Sequence, residues 1–378
     1  MTIFIPSLQT LVDQSHTKVE MTDGVWDLST LSSNFHDSYH SLEEMDVFGD
    51  ALASKFGPLG IQVEKFSVGE SWEGREIRGW KARMAVEPES ENGKEPVGER
   101  EFVVQSGQHA REVCLDHKEG NMADGLQWVG PASALYLLHY LLLEASGNKD
   151  GEVAKLLKAF TFTIVPTVNP DGYVHSRQSS RMWRKTRQLV DEQRGCLGMC
   201  PLLPSSSYNE ADIGGIDMNT NWGYKWTGSR VSPCSDNFPG TEAFQSVEAR
   251  AMSEYLTNGT ILDDDEDDYF KGEPTPAPNP GRRRVRAFVD LHSYGQLCKL
   301  TATSERDTAD QIVMFPFAYS CDDFPPDAEM LEEAALGVGK AMRTRHGEGY
   351  QAGQACDLTY RSVTSDRVSS ITDEQSSW

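Results

Sequence analysis

Thr161-Phe162-Thr163-Ile164-Val165 is an unbroken run of β-branched and aromatic residues. Such a run reads as a strand covered on both faces, because a half-exposed strand alternates apolar with polar residues. A chain that contains one must supply helices for both faces, and this chain does so. Leu42 to Phe56 and Pro131 to Glu144 have helical spacing, and Asp327 to His346 reads as a long helix stopped by Gly347. Ile61 to Val68, Arg75 to Met84, Glu101 to Gln105, Arg286 to Leu291 and Ile312 to Ala318 read as further strands. Asn169-Pro170-Asp171-Gly172 is turn chemistry. The expectation is an α/β fold, a sheet with helices on both faces.

The net charge of -23 over 378 residues excludes nucleic acid and anionic membrane as natural partners. Part of that charge is local. Asp263 to Asp268 is wholly acidic and leads through a Pro-rich stretch to Arg282-Arg283-Arg284, which reads as a solvated loop. No apolar run approaches the roughly 20 residues that span a bilayer.

Zinc catalysis needs about three His, Glu or Asp ligands and an open position for water. His109 and Glu112, three apart after the Phe102-Val103-Val104 strand, can turn toward one ion. A lone His-x-x-Glu equally fits a polar loop. His292 ends the Phe288-Val289-Asp290-Leu291 strand and is the candidate third ligand. His16, His36, His40, His139, His175 and His346 read as surface or satisfied core residues.

Around these ligands six motifs occur in one order: HARE (His109 to Glu112), VNPDGY (Val168 to Tyr173), RMWRKTR (Arg181 to Arg187), GIDMNTNW (Gly215 to Trp222), SPCS (Ser232 to Ser235) and DLHSY (Asp290 to Tyr294). In this set the chain closely resembles the zinc metallocarboxypeptidases of the carboxypeptidase A type, in a fungal secreted form, from about Phe35 to Tyr360. The resemblance implies a three-layer α/β/α sandwich around a mixed twisted sheet, with its C-terminal part missing. It implies one zinc ion held by His109, Glu112 and His292, and hydrolysis of C-terminal peptide bonds by a monomer. Arg184 matches the arginine that polarises the scissile carbonyl, the kind of fixed cation that stabilises an oxyanion. Asn219 matches the asparagine that holds the terminal carboxylate. Arg111, Ser293 and Tyr294 match residues on the substrate path, and Tyr360 the tyrosine that closes over the bound residue.

Two departures bear on activity. Beside the asparagine the family has an arginine that clamps the carboxylate bidentately, and here that position is Thr220. The family's general-base glutamate is expected on a strand after the tyrosine. Only Asp366, Asp373 and Glu374 are acidic after Tyr360, in a Ser/Thr-rich tail, and none matches. Loss of a general base costs about 10²–10⁴-fold in rate.

Three segments, 113–127, 199–214 and 298–311, interrupt the family pattern. Joining Glu112 to Trp128 restores HAREWVGPASALYLL. Each segment has a cysteine near its start (Cys114, Cys200, Cys298) and Ala-Asp near its end (Ala123-Asp124, Ala211-Asp212, Ala309-Asp310). Translated introns give that pattern, since a donor GTATGT reads Val-Cys and a branch-point GCTGAC reads Ala-Asp. His117 lies in the first insert and is not counted as a ligand.

The seven cysteines then reduce to Cys196, Cys234, Cys321 and Cys356. The resemblance implies a Cys196–Cys234 disulfide, and Cys321 with Cys356 is expected as the second pair. Paired cysteines and the sequon at Asn258 suit a secreted protein. Residues 1–33 read as the end of an inhibitory propeptide, 34–360 as the catalytic domain and 361–378 as a tail outside the family. The reading is a zinc metallocarboxypeptidase impaired at its base and carboxylate clamp. Its rivals are an inactive zinc-binding secreted protein of the same fold and an endopeptidase or amidase.

Overall fold

The computed structural model describes residues 26–85, 100–111, 128–191, 214–226, 228, 231–257, 284–292, 311–347 and 349–358. Five strands form the main sheet: β1 (Ile61–Glu70), β2 (Glu76–Met84), β3 (Arg100–Ser106), β4 (Thr161–Val165) and β5 (Arg284–Leu291), in the order β1-β2-β4-β3-β5. The β1/β2 and β2/β4 pairs are antiparallel, whereas β3 runs parallel to both β4 and β5. The sheet is therefore mixed.

All five residues of β4 are buried, as the unbroken apolar run requires. Successive side chains point to opposite faces. Phe162 and Ile164 join a core built from three helices, α1 (Leu42–Phe56), α2 (Val129–Gly147) and α3 (Glu152–Ala159). Val165 joins a second core with Ile77, Met218 and the inner residues Ala249 and Met252 of α5 (Val247–Thr257). Helices thus cover both faces.

In α1, Met45, Phe48, Leu52 and Phe56 are buried at helical spacing. The helix starts at a capping box in which the Glu44 amide donates to Ser41 Oγ (3.2 Å) and the Ser41 amide to Glu44 Oε2 (2.8 Å). Helix α2 buries Ala134, Leu135, Leu138, Leu141 and Leu142, with His139 fully enclosed among them. No helix among the described residues is long and apolar enough to cross a membrane.

Asn169-Pro170-Asp171-Gly172 opens a helix, α4 (Pro170–Gln178), rather than a free turn. Asn169 caps it, its Oδ1 accepting from the Gly172 amide at 2.9 Å, with Pro170 in the first turn. The same side-chain chemistry serves turns and helix caps, so the residues alone left the continuation open. Glycine is needed at 172 for space: a Cβ there would lie 2.8 Å from the Lys185 carbonyl oxygen.

Helices α3 and α5 and strand β7 (Tyr350–Gln354) were not anticipated. The expected strand at Ile312 to Ala318 is β6 (Gln311–Phe315), which ends before Pro316 and pairs in parallel with β7 in a separate two-stranded sheet. Gln311, read above as the last residue of an insert, pairs with Tyr350. Helix α6 (Ala328–His346) ends, as expected, at Gly347 in the left-handed region (φ 78°). Cys321 and Cys356 form a disulfide. Cys234 is also disulfide-bonded, and its expected partner Cys196 lies outside the described residues. So do most of the three inserts, residues 1–25 of the proposed propeptide remnant 1–33, and the proposed tail 361–378.

Candidate metal centre

Parallel pairing of β3 with β5 sets Ser106 opposite Leu291, so both strands end at the same edge of the sheet. Carboxyl ends of parallel strands are where open α/β sheets bind ligands. After Ser106 the chain turns at Gly107 (φ +72°), where a Cβ would press on the Pro166 carbonyl at 3.3 Å. Gln108 and His109 follow, and His292 leaves β5 beside them. The His109 and His292 rings come together, their centroids 4.9 Å apart.

Each ring is backed by a carboxylate. His109 Nε2 lies 2.9 Å from Asp217 Oδ1, and His292 Nε2 lies 3.0 Å from Asp290 Oδ2. The Gln108 side-chain amide donates to Asp290 and its Oε1 accepts from Trp222 Nε1 (3.3 Å). Asp217 is fully buried and shared, its Oδ2 accepting from Arg184 Nη2 at 3.0 Å and Nε at 3.3 Å. Burial opposes ionisation of Asp217, but the adjoining His109 ring and Arg184 guanidinium outweigh it and hold the carboxyl down to about 2.

The frame around these groups is main chain. Ala110 N donates to the Arg184 carbonyl at 3.1 Å, and Asp217 N to that of Phe238 at 2.8 Å. Buried Asn169 donates from Nδ2 to the Gln108 carbonyl (3.0 Å) and the Lys185 carbonyl (3.1 Å). Lys185 is itself buried, which pushes its amine down to about 8 against the pull of Asp236 and Asp217, and it donates to the Ser235 carbonyl at 3.0 Å.

Asn219 is buried in the short turn Met218–Thr220, its backbone N–H donating to Asp217 Oδ1 at 3.2 Å. Thr220 Oγ1 donates to the Asp217 carbonyl at 3.1 Å. Arg111 pairs with Asp236 at 2.7 Å and reaches the Met182 carbonyl at 3.4 Å. Of the expected site residues, His109, His292, Arg184, Asn219 and Arg111 are therefore placed. Glu112, Ser293, Tyr294 and Tyr360 lie outside the described residues.

Among the described residues no group of three or more His, Cys, Asp or Glu side chains is arranged to hold a metal. The two histidines nevertheless fit one. Metal-binding imidazoles characteristically carry a carboxylate on their other nitrogen, and both rings do here. Asp290 Oδ1 is moreover buried without a hydrogen-bond partner among the described residues. The sequence reading missed Asp217, Asp290 and Gln108. An aspartate inside the apolar Phe-Val-Asp-Leu strand was the available signal, since a buried charge demands a partner.

The zinc carboxypeptidase family (peptidase M14) matches residues 119–370. The inactive metallocarboxypeptidase ecm14 of Talaromyces marneffei is 31% identical over 345 residues, covering 90% of this chain and 45% of its own length. The inactive metallocarboxypeptidase ECM14 of Uncinocarpus reesii is 31% identical over 333 residues, 87% of this chain and 44% of its own. The chain thus spans less than half the length of these curated relatives. Two solved structures share the fold at 22% identity: thrombin-activatable fibrinolysis inhibitor (TM-score 0.62, covering 94% of this chain and 67% of the other) and carboxypeptidase A from Helicoverpa armigera (TM-score 0.56, 92% and 63%). The order of motifs, the mixed sheet and the family match lead to one assignment: the chain belongs to the zinc carboxypeptidase family.

Proposed function

We propose that this chain is a catalytically inactive metallocarboxypeptidase, a secreted monomer that keeps the family's metal-binding frame and does not turn over peptide C-termini. Thr220 carries the reading. It stands where the resemblance calls for a carboxylate-clamping arginine, and its hydroxyl is spent on the Asp217 carbonyl at 3.1 Å. A neutral hydroxyl so engaged does not replace a bidentate cation. Arg184 is similarly committed, since its guanidinium lies 3.0 Å from Asp217. The names of both fungal relatives support the same reading.

His109 and His292, with Glu112 as the third ligand, would hold one zinc ion. When bound, zinc would polarise a carbonyl and acidify its water. Asp217 and Asp290 orient the two imidazoles, and Asp217 also anchors Arg184. The Cys321–Cys356 disulfide supports an oxidising compartment. A competing reading, an active carboxypeptidase, draws on Arg184 and Asn219 standing beside the histidines.

Zinc stoichiometry and turnover on blocked dipeptides decide between them. The expected result is about one zinc per chain, lost in His109→Ala, with no release of the C-terminal residue. Turnover within about 10²-fold of a typical enzyme's 1–10³ s⁻¹ would overturn the inactive reading.

A further inference from the structure

Trp26 to Ser41 is the first described stretch of chain, and a pair of imidazoles ties it to the helical layer. His36 Nε2 lies 2.9 Å from His139 Nδ1, and His139 Nε2 lies 3.1 Å from the Leu28 carbonyl oxygen. A carbonyl only accepts, so His139 carries its hydrogen on Nε2. In the neutral ring Nδ1 is then the acceptor, and His36 must donate to it from Nε2. The relay is complete only while His139 is neutral.

A second proton on His139 would enter at Nδ1, facing the Nε2–H of His36, and set two donors against each other. A second proton on His36 leaves that bond intact but places a cation against Phe35, Phe48 and Tyr136, whose ring centroids lie 5.5, 5.5 and 4.9 Å away. His139 is fully buried on α2, beside Phe48 and Phe56.

Ionisable neighbours do little to offset that charge. Asp37 and His40 act on His36 from its own segment, and Tyr136 faces it from α2. Asp27 and Lys55 act on His139 from the segment and from α1. Glu44 is within 3.4 Å of His40 instead. Neither His36 nor His139 has an ion pair among the described residues. Burial pushes both imidazoles down, His36 to about 4 with His139 and His40 adding to the effect. A cavity of about 240 Å³, lined by His36, Ser38, Tyr39, His40, Trp128 and Tyr136 among others, adjoins His36.

We propose that His36 and His139 form an acid-sensitive latch: their neutral relay pins Trp26–Ser41 onto α1 and α2, and protonation releases that segment while the sheet stays folded. The sign follows from depressed values in the folded state. The latch's contribution is fully present above the unfolded histidine value of about 6.5. It is lost as pH falls toward about 4.

Backbone hydrogen exchange on the full chain, corrected for intrinsic rates, tests this between pH 7.5 and 4.5. Protection around Leu28, Phe35 and His36 is expected to fall ~50-fold, while amides 162–164 of β4 keep theirs. In the double variant His36→Gln/His139→Gln, glutamines can take over both hydrogen bonds without titrating, and the fall should shrink to a fewfold. Equal loss in wild type and double variant, flat protection in wild type, or parallel loss in β4 would each overturn the latch. Should the double variant not fold, NMR titration of wild type decides, since ordinary values near 6.5 for both rings would also overturn it.

Discussion

Asp217 accepts from Arg184 on one carboxylate oxygen and sits 2.9 Å from His109 Nε2 on the other, so a single buried side chain positions both a candidate zinc ligand and a candidate catalytic cation. Substituting Asp217→Asn keeps the shape and removes the charge. Zinc affinity, followed by chelator competition, is expected to fall about 10–100-fold, as for other carboxylates behind a metal-binding histidine.

The same carboxylate should shape acid stability. Its folded value is held to about 2 from an ordinary 3.8, so its contribution is present above the ordinary value and lost as pH falls toward 2. The magnitude is on the order of 2 kcal/mol. Urea unfolding at pH 5 and at pH 2.5 is expected to show a steeper loss for wild type than for Asp217→Asn.

Thr220→Arg tests the carboxylate clamp directly. The hydroxyl bond to the Asp217 carbonyl goes, at a cost of about 1 kcal/mol in stability. Calorimetry should then detect binding of an N-acyl amino acid that wild type binds at least ~10-fold more weakly, since charged hydrogen bonds contribute about 1.5–3 kcal/mol. Equal affinities would mean that the carboxylate is not read at position 220.

Trp128 Nε1 donates to the Ala110 carbonyl at 3.1 Å and to Ser176 Oγ at 2.9 Å, which brings the two sides of segment 113–127 together. A variant joining Glu112 directly to Trp128 should therefore fold. It should gain about 1–2 kcal/mol, because a shorter loop has less closure entropy to lose. Thermal denaturation measures the gain, and transcript sequencing across the junction would show whether a spliced form exists.

Cys321 and Cys356 are 35 residues apart in the chain and tie the start of the 321–327 segment to the end of β7. Cys321→Ser with Cys356→Ser is expected to cost about 2–4 kcal/mol in chemical denaturation. Reduction of the wild type should give a larger loss, because it also breaks the disulfide of Cys234.

Where a local pattern determined the element, the sequence was readable. The spacing of Met45, Phe48, Leu52 and Phe56 marked α1, and the unbroken run at 161–165 marked the sheet's centre. Short helices such as α3 escaped because eight residues hold little periodicity. Within the site, His109, His292 and Arg184 were legible through motifs that resemble a family. Asp217 and Asp290 were printed in those same motifs and overlooked, because their role depends on which nitrogen of which ring they face, and that is a matter of three-dimensional placement. The pairing of β6 with β7 away from the main sheet was likewise invisible, since strand partners are chosen by tertiary contacts rather than by the strand's own residues.

Among the described residues, the three hydrogen bonds of the Asn169 side chain all run to main-chain atoms, at Gln108, Gly172 and Lys185. They are therefore indifferent to which side chains occupy positions 108 and 185. One amide group sets the spacing of three backbones, while the chemistry hung on two of them can be exchanged without moving the framework. A scaffold built this way uncouples architecture from reactivity. On such a scaffold the side chains of the site can be replaced one at a time while the fold stays in place.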